Sequence, residues 1–144
     1  MHDPILDRIA EACSAPRPAR FVRDPDHCDE CRDHEATLSR LVPETLDLAA
    51  VGNPGWDPIC FATDEAFRYL LPGLCRLACG RGDRYYLGSL LSHLENRAHT
   101  LGRPQRQAVA ALLDRLYEAM PAEIEARGDD HALGRVYDLL REQP

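Results

Sequence analysis

Apolar residues recur at helical spacing along most of this chain, and no stretch of useful length alternates between apolar and polar residues. The pattern is clearest in the last third of the chain, where Val109, Leu112 and Leu116 return every three to four positions. Because no strand pattern and no internal repeat is present, the sequence predicts an all-α protein. We expect a compact single-domain helical bundle of about six or seven helices over residues 1–144.

Prolines divide this pattern into segments, because proline cannot continue the helical hydrogen-bond ladder. Pro16 and Pro18 end the first helix, and Pro121 ends a later one. Pro72-Gly73 interrupts an apolar stripe, so we expect a kink or a break there. The expected helices cover about residues 4–13, 29–42, 64–78 (in two pieces), 84–96, 104–119 and 129–142, with a short helical turn after Pro43.

A Gly/Pro-rich loop is predicted at 52–62. Two prolines and two glycines within residues 52–58 leave no room for regular structure. The loop contains Trp56, for which two interpretations remain open. A tryptophan in an irregular loop can be an exposed binding anchor, but more often such a side chain folds back as a lid over the core.

The balance of charge excludes two classes of partner. The 144 residues carry a net charge of −7, whereas a nucleic-acid-binding protein needs a basic patch to neutralise phosphates. The same charge disfavours docking on an anionic membrane surface. We therefore expect no nucleic acid and no membrane as partner, while a protein partner stays open.

The N-terminal residues and the cysteines together predict a cytoplasmic protein. The first seven residues lack the basic start and the apolar run of a signal peptide, and no window approaches eighteen uninterrupted apolar residues. In the cytosol the six cysteines stay reduced, so they are expected to be free, buried or metal-bound rather than paired in disulfides.

The segment from residue 27 to residue 34 contains four potential ligands for a soft metal. Cys28 and Cys31 have the Cys-x-x-Cys spacing that can chelate one zinc ion, and His34 follows three residues later. At the start of a helix these three side chains lie on neighbouring parts of one surface, near backbone N–H groups that favour thiolates. His27 precedes the helix and is the alternative third ligand.

The positions of the other four cysteines relative to the apolar stripes indicate their roles. Cys60 follows the Gly/Pro segment and is the better candidate for a remote zinc ligand. Cys75 lies on the apolar stripe of its helix, and we interpret Cys75, Cys79 and Cys13 as core residues because a free cysteine behaves as a small hydrophobe.

Two alternatives to a structural zinc site remain open for the Cys28 segment. One is ordinary packing, with Cys31 buried and Cys28 and the histidines half-exposed. The other is a redox dithiol, which is the weakest of the three because such motifs usually follow a strand in a βαβ unit. Zinc is therefore the only cofactor predicted.

No catalytic residues are predicted. The chain has no Gly-rich phosphate loop, no His-Glu-x-x-His motif and no Gly-x-Ser-x-Gly elbow. His93, Asn96 and His99 follow one another at steps of three near a helix end, and a solvated helix C-terminus explains them more simply than a pocket. The sequence therefore leans against an enzyme.

Four segments are distinctive in combination: HCDEC at 27–31, NPGWDPICF at 53–61, EAFRYLLP at 65–72 and QRQAV at 105–109. Together they resemble a family of small uncharacterised bacterial proteins that carries a domain-of-unknown-function label. The resemblance covers roughly residues 5–117. It implies a bacterial cytosolic origin and groups the Cys28 segment with the Trp56 loop, but it implies no activity, substrate or catalytic residue.

These observations predict a non-enzymatic binding or interaction protein with a zinc site at Cys28, Cys31 and His34 or His27, completed by Cys60 or water. One alternative is a small metal-dependent hydrolase or a metal sensor, which needs an open zinc position and a carboxylate base such as Glu30 or Glu35. Another is a toxin-neutralising, immunity-type protein, whose acidic surface would match a basic toxin.

Overall fold

The fold is known from a computed structural model, in which residues 3–142 are described. Within that range the chain forms eight α-helices and four short 3₁₀ helices, and its only extended pairing is a β-bridge between Val22 and Ala62. The all-α prediction is confirmed, but six or seven helices were too few. The α-helices are α1 (Pro4–Ala12), α2 (Asp29–Ser39), α3 (Leu48–Val51), α4 (Asp64–Leu77), α5 (Leu87–Arg97), α6 (Arg103–Ala119), α7 (Pro121–Ala126) and α8 (Asp130–Arg141). The 3₁₀ helices are Pro54–Trp56, Pro58–Phe61, Gly82–Arg84 and Ala98–Thr100.

Helix α7 was not predicted from the sequence. Pro121 follows the end of α6, as predicted, but it also begins α7, because proline suits the first position of a helix, where no N–H partner is needed. Ile124 is fully buried and anchors the short helix to the core. Gly128 then adopts φ 75°, which lets the chain turn directly into α8.

Helix α4 runs without interruption through Pro72 and Gly73, so the expected break there is wrong. Proline in a helix interior costs ~3 kcal/mol, but Leu71 and Leu74 on either side are fully buried, and their packing holds the helix together. Gly73 has a separate role. A Cβ at this position would lie 2.6 Å from the carbonyl oxygen of Pro43, so only glycine allows the two backbones to approach this closely.

The Gly/Pro-rich segment is more regular than predicted. Two of the 3₁₀ helices, Pro54–Trp56 and Pro58–Phe61, lie within residues 52–62. Each begins with a proline and is capped by the preceding side chain. Asn53 accepts a hydrogen bond from Gly55 N at 2.9 Å, and Asp57 accepts one from Ile59 N at 2.9 Å. These short-range bonds give the segment its shape.

The core contains buried apolar residues from most of the described chain, and α4, α5 and α6 contribute the most. Helix α1 packs against α4 and α6, while α8 packs against α5 and α6. Helix α2 packs mainly against the 3₁₀ helix Pro58–Phe61, and it contributes Leu38 to the core. The packing of α2 on this short helix places the Cys28 segment beside the Gly/Pro-rich segment. Among the described helices, none combines the length and the apolar character that crossing a lipid bilayer requires.

Candidate metal centre

His27, Cys28 and Cys31 bring three ligand atoms together at the N-terminus of α2. Cys28 is the N-cap residue, and its sulfur accepts a hydrogen bond from Cys31 N at 3.4 Å. The sulfurs of Cys28 and Cys31 are 3.3 Å apart, and Nδ1 of His27 lies 3.8 Å from the Cys31 sulfur. All three ligand atoms lie within 4.8 Å of one another, and the group is open to solvent. Local backbone geometry thus creates the cluster, because a capping cysteine points back over the first helical turn.

The three side chains shift each other's protonation. The backbone N–H of Cys31 and the imidazole of His27 lower the pKa of Cys28. The hydrogen bond with the Cys28 sulfur in turn raises the pKa of Cys31, and desolvation and the negative charge of Cys28 raise it further. The hydrogen bond to Cys28 also raises the pKa of His27. Without an ion, Cys28 therefore loses its proton at lower pH than Cys31, and His27 keeps its proton to higher pH than an ordinary imidazole.

The structure does not bring His34 to the two thiols. Its side chain is fully buried, and its ring centroid lies 4.5 Å from that of Trp56 and 4.5 Å from that of Phe61. Each step of three residues turns a helix by about 60°, so two steps carry His34 roughly 120° away from Cys28. The imidazole in the cluster is that of His27, the alternative that the sequence left open.

Cys60 belongs to a second group, with Asp57 and His93. Oδ2 of Asp57 lies 2.9 Å from Nε2 of His93, and both side chains are buried, with exposed fractions of 8% and 7%. Cys60 is exposed overall, but neighbouring atoms partly desolvate its sulfur, and this desolvation together with the charge of Asp57 raises its pKa. The role predicted for Cys60, completing the Cys28 site from a distance, has no support in this arrangement.

His93 and Asp57 were not identified from the sequence. His93 was assigned to a solvated helix end, which fits Asn96 and His99, both exposed, but His93 is buried. A signal was present, because His93 follows the buried Leu90 by three residues and therefore shares its face of α5. For Asp57, the signal was its place directly before a proline, which is typical of a capping residue.

The two carboxylates considered as bases have different environments. Oε1 of Glu35 accepts hydrogen bonds from the backbone N–H groups of Phe21 and Val22, both at 2.8 Å. Glu35 therefore fastens the connector before α2 and has a structural role. Glu30 is exposed, and its Oε1 lies 3.5 Å from Nε2 of His34. Neither carboxylate is among the residues of the two ligand groups.

Cys13 and Cys75 lie in the hydrophobic core, as predicted. Burial raises the pKa of Cys13 to about 11 and that of Cys75 well above its usual range, so both remain protonated. Cys79 is half-buried at the edge of the core, and its sulfur lies 3.7 Å from a guanidinium nitrogen of Arg115.

Comparisons of the chain with protein-family models, with curated proteins and with solved structures found no match in any of the three. The family resemblance of the four segments therefore stays a prediction. Function has to be inferred from the geometry of the two ligand groups.

Proposed function

We propose that this chain is a non-enzymatic binding protein that holds one zinc ion through His27, Cys28 and Cys31. The fourth ligand is water or a side chain of a partner protein. The observation that supports the proposal is the convergence of two sulfurs and one imidazole nitrogen within 4.8 Å at a helix N-terminus. This donor set is one that zinc prefers in proteins.

The distances fit a tetrahedral ion. Zinc–sulfur bonds of about 2.3 Å and zinc–nitrogen bonds of about 2.0–2.1 Å place neighbouring ligand atoms roughly 3.5–3.8 Å apart. The sulfurs of Cys28 and Cys31 lie at 3.3 Å, and the Cys31 sulfur lies 3.8 Å from Nδ1 of His27. These two distances are within a few tenths of an ångström of the tetrahedral separations, and the third, between the Cys28 sulfur and the His27 imidazole, is below 4.8 Å.

The charges also fit. A zinc ion cancels the repulsion between the thiolates of Cys28 and Cys31, and its binding displaces the protons still held by the ligand atoms. The thiolates must stay reduced for this, which agrees with a cytoplasmic protein. Because the group is exposed, a donor atom from a partner can reach the fourth position without any change in the fold.

Metal analysis of variants tests the proposal. Protein purified with a thiol reductant and without an affinity tag is expected to bind zinc, and the double variant C28S/C31S is expected to lose one equivalent. Cys79→Ser is the matched control, because Cys79 is a half-buried cysteine outside both ligand groups. The proposal is wrong if C28S/C31S binds as much zinc as the wild-type protein, or if the wild-type protein binds none.

A second candidate function, a redox dithiol, is favoured by one specific observation. The sulfurs of Cys28 and Cys31 are 3.3 Å apart in an exposed helix-start position that lowers the pKa of Cys28. Oxidation would join the two sulfurs in a disulfide. The two protons and two electrons released would reduce a partner disulfide to two thiols.

Equilibration with glutathione redox buffers separates the two functions. A redox protein forms the Cys28–Cys31 disulfide at moderate ratios of oxidised to reduced glutathione, which thiol counting and peptide mapping detect. A zinc protein resists oxidation while the ion is bound and becomes sensitive only after chelation. If both cysteines stay reduced after chelation even in oxidised glutathione alone, the redox function is excluded.

A further inference from the structure

The second ligand group lies where the Gly/Pro-rich segment meets α5. Asp57 precedes the 3₁₀ helix Pro58–Phe61 and Cys60 lies within it, while His93 is on α5. The group thus combines one carboxylate oxygen, one sulfur and one imidazole nitrogen, all within 4.8 Å of one another. It shares no residue with the His27 group.

The ligand atoms are fixed by bonds outside the group. Oδ1 of Asp57 accepts a hydrogen bond from Ile59 N at 2.9 Å, which leaves Oδ2 directed at His93. Arg97 is the last residue of α5, and its guanidinium donates to the carbonyl oxygens of Ile59 and Thr63, both at 3.2 Å. In metal sites, hydrogen bonds of this kind orient the ligand side chains before the ion binds.

The three side chains of this group differ in their exposure to solvent. Asp57 and His93 are buried, which raises the strength of their interaction with a cation. Cys60 is exposed, so an ion can enter from solvent on its side. Three protein ligands with one open position is the arrangement of zinc sites that keep a bound water.

The hydroxyl of Tyr86 supplies an independent observation. Its side chain is only 2% exposed, and the hydroxyl oxygen has no hydrogen-bond partner among the described residues. After burial, the charges of Asp57 and Cys60 contribute most to raising the pKa of Tyr86, so the hydroxyl lies in the field of this group. Water held by an ion between these ligands would give the hydroxyl a partner that the protein itself does not offer.

We propose that Asp57, Cys60 and His93 form a second binding site for a divalent cation of the zinc and cobalt class, separate from the His27 site. The mixture of oxygen, nitrogen and sulfur ligands selects such ions over magnesium and calcium, which require oxygen ligands alone. Binding replaces the hydrogen bond between Asp57 and His93 with two bonds to the ion. The proton that Nε2 of His93 donates in that bond moves to Nδ1 or to solvent, and the thiol proton of Cys60 is released to solvent. This site goes beyond the function proposed above and does not depend on it.

Cobalt titration tests the second site in a background that lacks the first. Cobalt(II) replaces zinc in such sites, and each bound thiolate adds a sulfur-to-cobalt charge-transfer absorption. The C28S/C31S double variant is expected to bind one equivalent of cobalt with the absorption of a single thiolate. Adding Cys60→Ser removes that absorption, while adding Cys79→Ser instead leaves it unchanged.

Failure of this proposal is distinguishable from failure of the first. The single variant C60S keeps the His27 site alone, and C28S/C31S keeps the Asp57 site alone. No thiolate absorption in C28S/C31S, with helical circular dichroism intact, overturns the second site whatever C60S binds. Absorption that persists in the triple variant also overturns it. Should C28S/C31S fold poorly, the loss of one of two equivalents on going from wild type to C60S decides the question.

Asp57→Asn is a further check that separates a ligand from a structural residue. The amide keeps the oxygen that caps the 3₁₀ helix, but it removes the negative charge that a cation needs. Cobalt affinity at the second site is expected to fall at least tenfold while the protein still folds. Unchanged affinity in folded D57N contradicts the assignment of Asp57 as a ligand.

Discussion

At the scale of single residues, His34 has the least expected environment. Its imidazole packs against the rings of both Trp56 and Phe61, and neither nitrogen makes a hydrogen bond. Oε1 of Glu30 approaches Nε2 to 3.5 Å, which is longer than an ordinary hydrogen bond. A buried polar group without a partner costs ~1–3 kcal/mol, so the ring contributes through stacking and not through its nitrogens.

We predict that His34→Phe leaves the free energy of unfolding unchanged or raises it by about 1 kcal/mol, because an apolar ring keeps the stacking and removes the unpaired nitrogens. His27→Ala is the matched change, because it removes an exposed imidazole of the proposed site. It is expected to alter stability by less than about 0.5 kcal/mol and to weaken zinc binding. Urea unfolding measures the stability of both variants, and zinc titration measures their affinity for the ion. A marked loss of zinc affinity in H34F would contradict the assignment.

The thiol of Cys28 is predicted to be the most reactive of the six in metal-free protein. The hydrogen bond from Cys31 N lowers its pKa, so its thiolate forms at lower pH than that of an ordinary cysteine. Burial raises the pKa of Cys60, whose thiolate forms only at higher pH. Iodoacetamide labelling across a pH series, read by peptide mass spectrometry, is expected to modify Cys28 first. Earlier labelling of Cys60 would show that the helix start does not stabilise the Cys28 thiolate.

At the scale of elements, Gly73 shows how one helix can depend on a missing side chain. Helix α4 passes so close to the Pro43 backbone that an added Cβ would lie 2.6 Å from the carbonyl oxygen and 2.9 Å from a methyl carbon of Leu46. Neither partner is free to move away, because one is backbone and Leu46 is buried in the core.

Gly73→Ala is therefore predicted to lower the free energy of unfolding by about 1–3 kcal/mol, in spite of the better helix propensity of alanine. Gly134 is the control, since it lies in α8 and an added Cβ would meet no atom within 4 Å. Gly134→Ala is expected to raise stability by about 0.5–1 kcal/mol. Equal effects of the two changes in denaturant unfolding would show that α4 can shift away from Pro43.

Elements also differ in how far the sequence could predict them. Helix α6 was predicted within one residue because its apolar stripe is uninterrupted. Helix α7 was missed because Pro121 can both end one helix and begin the next. The break in α4 was wrongly predicted because propensity alone cannot weigh the loss of one hydrogen bond against the burial of the residues around it.

At the scale of the whole molecule, the sequence could not show which distant segments of the chain lie side by side. The cluster of His27, Cys28 and Cys31 is local, so spacing alone indicated it. Asp57 and His93 are 36 residues apart and meet only because the Gly/Pro-rich segment packs on α5. Sequence periodicity gives no information about such long-range contacts, so neither Asp57 nor His93 could be placed beside Cys60.

The arrangement of the core predicts that metal is not needed for folding. The buried apolar cluster is built from residues throughout the described chain, and neither ligand group belongs to it. Chelation is therefore expected to leave the far-ultraviolet circular dichroism unchanged while lowering the melting temperature, because an ion that binds only the folded state adds stability by mass action. Loss of helical signal on chelation would show instead that the ion is required for the fold, as in zinc fingers.

X-ray absorption spectroscopy at the zinc edge of the C60S variant tests the central claim most directly, because only the His27 site can then supply sulfur ligands. We predict a four-coordinate ion with two sulfurs at about 2.3 Å and two nitrogen or oxygen neighbours at about 2.0–2.1 Å. A coordination shell without sulfur, or a folded protein that binds no zinc, would contradict it.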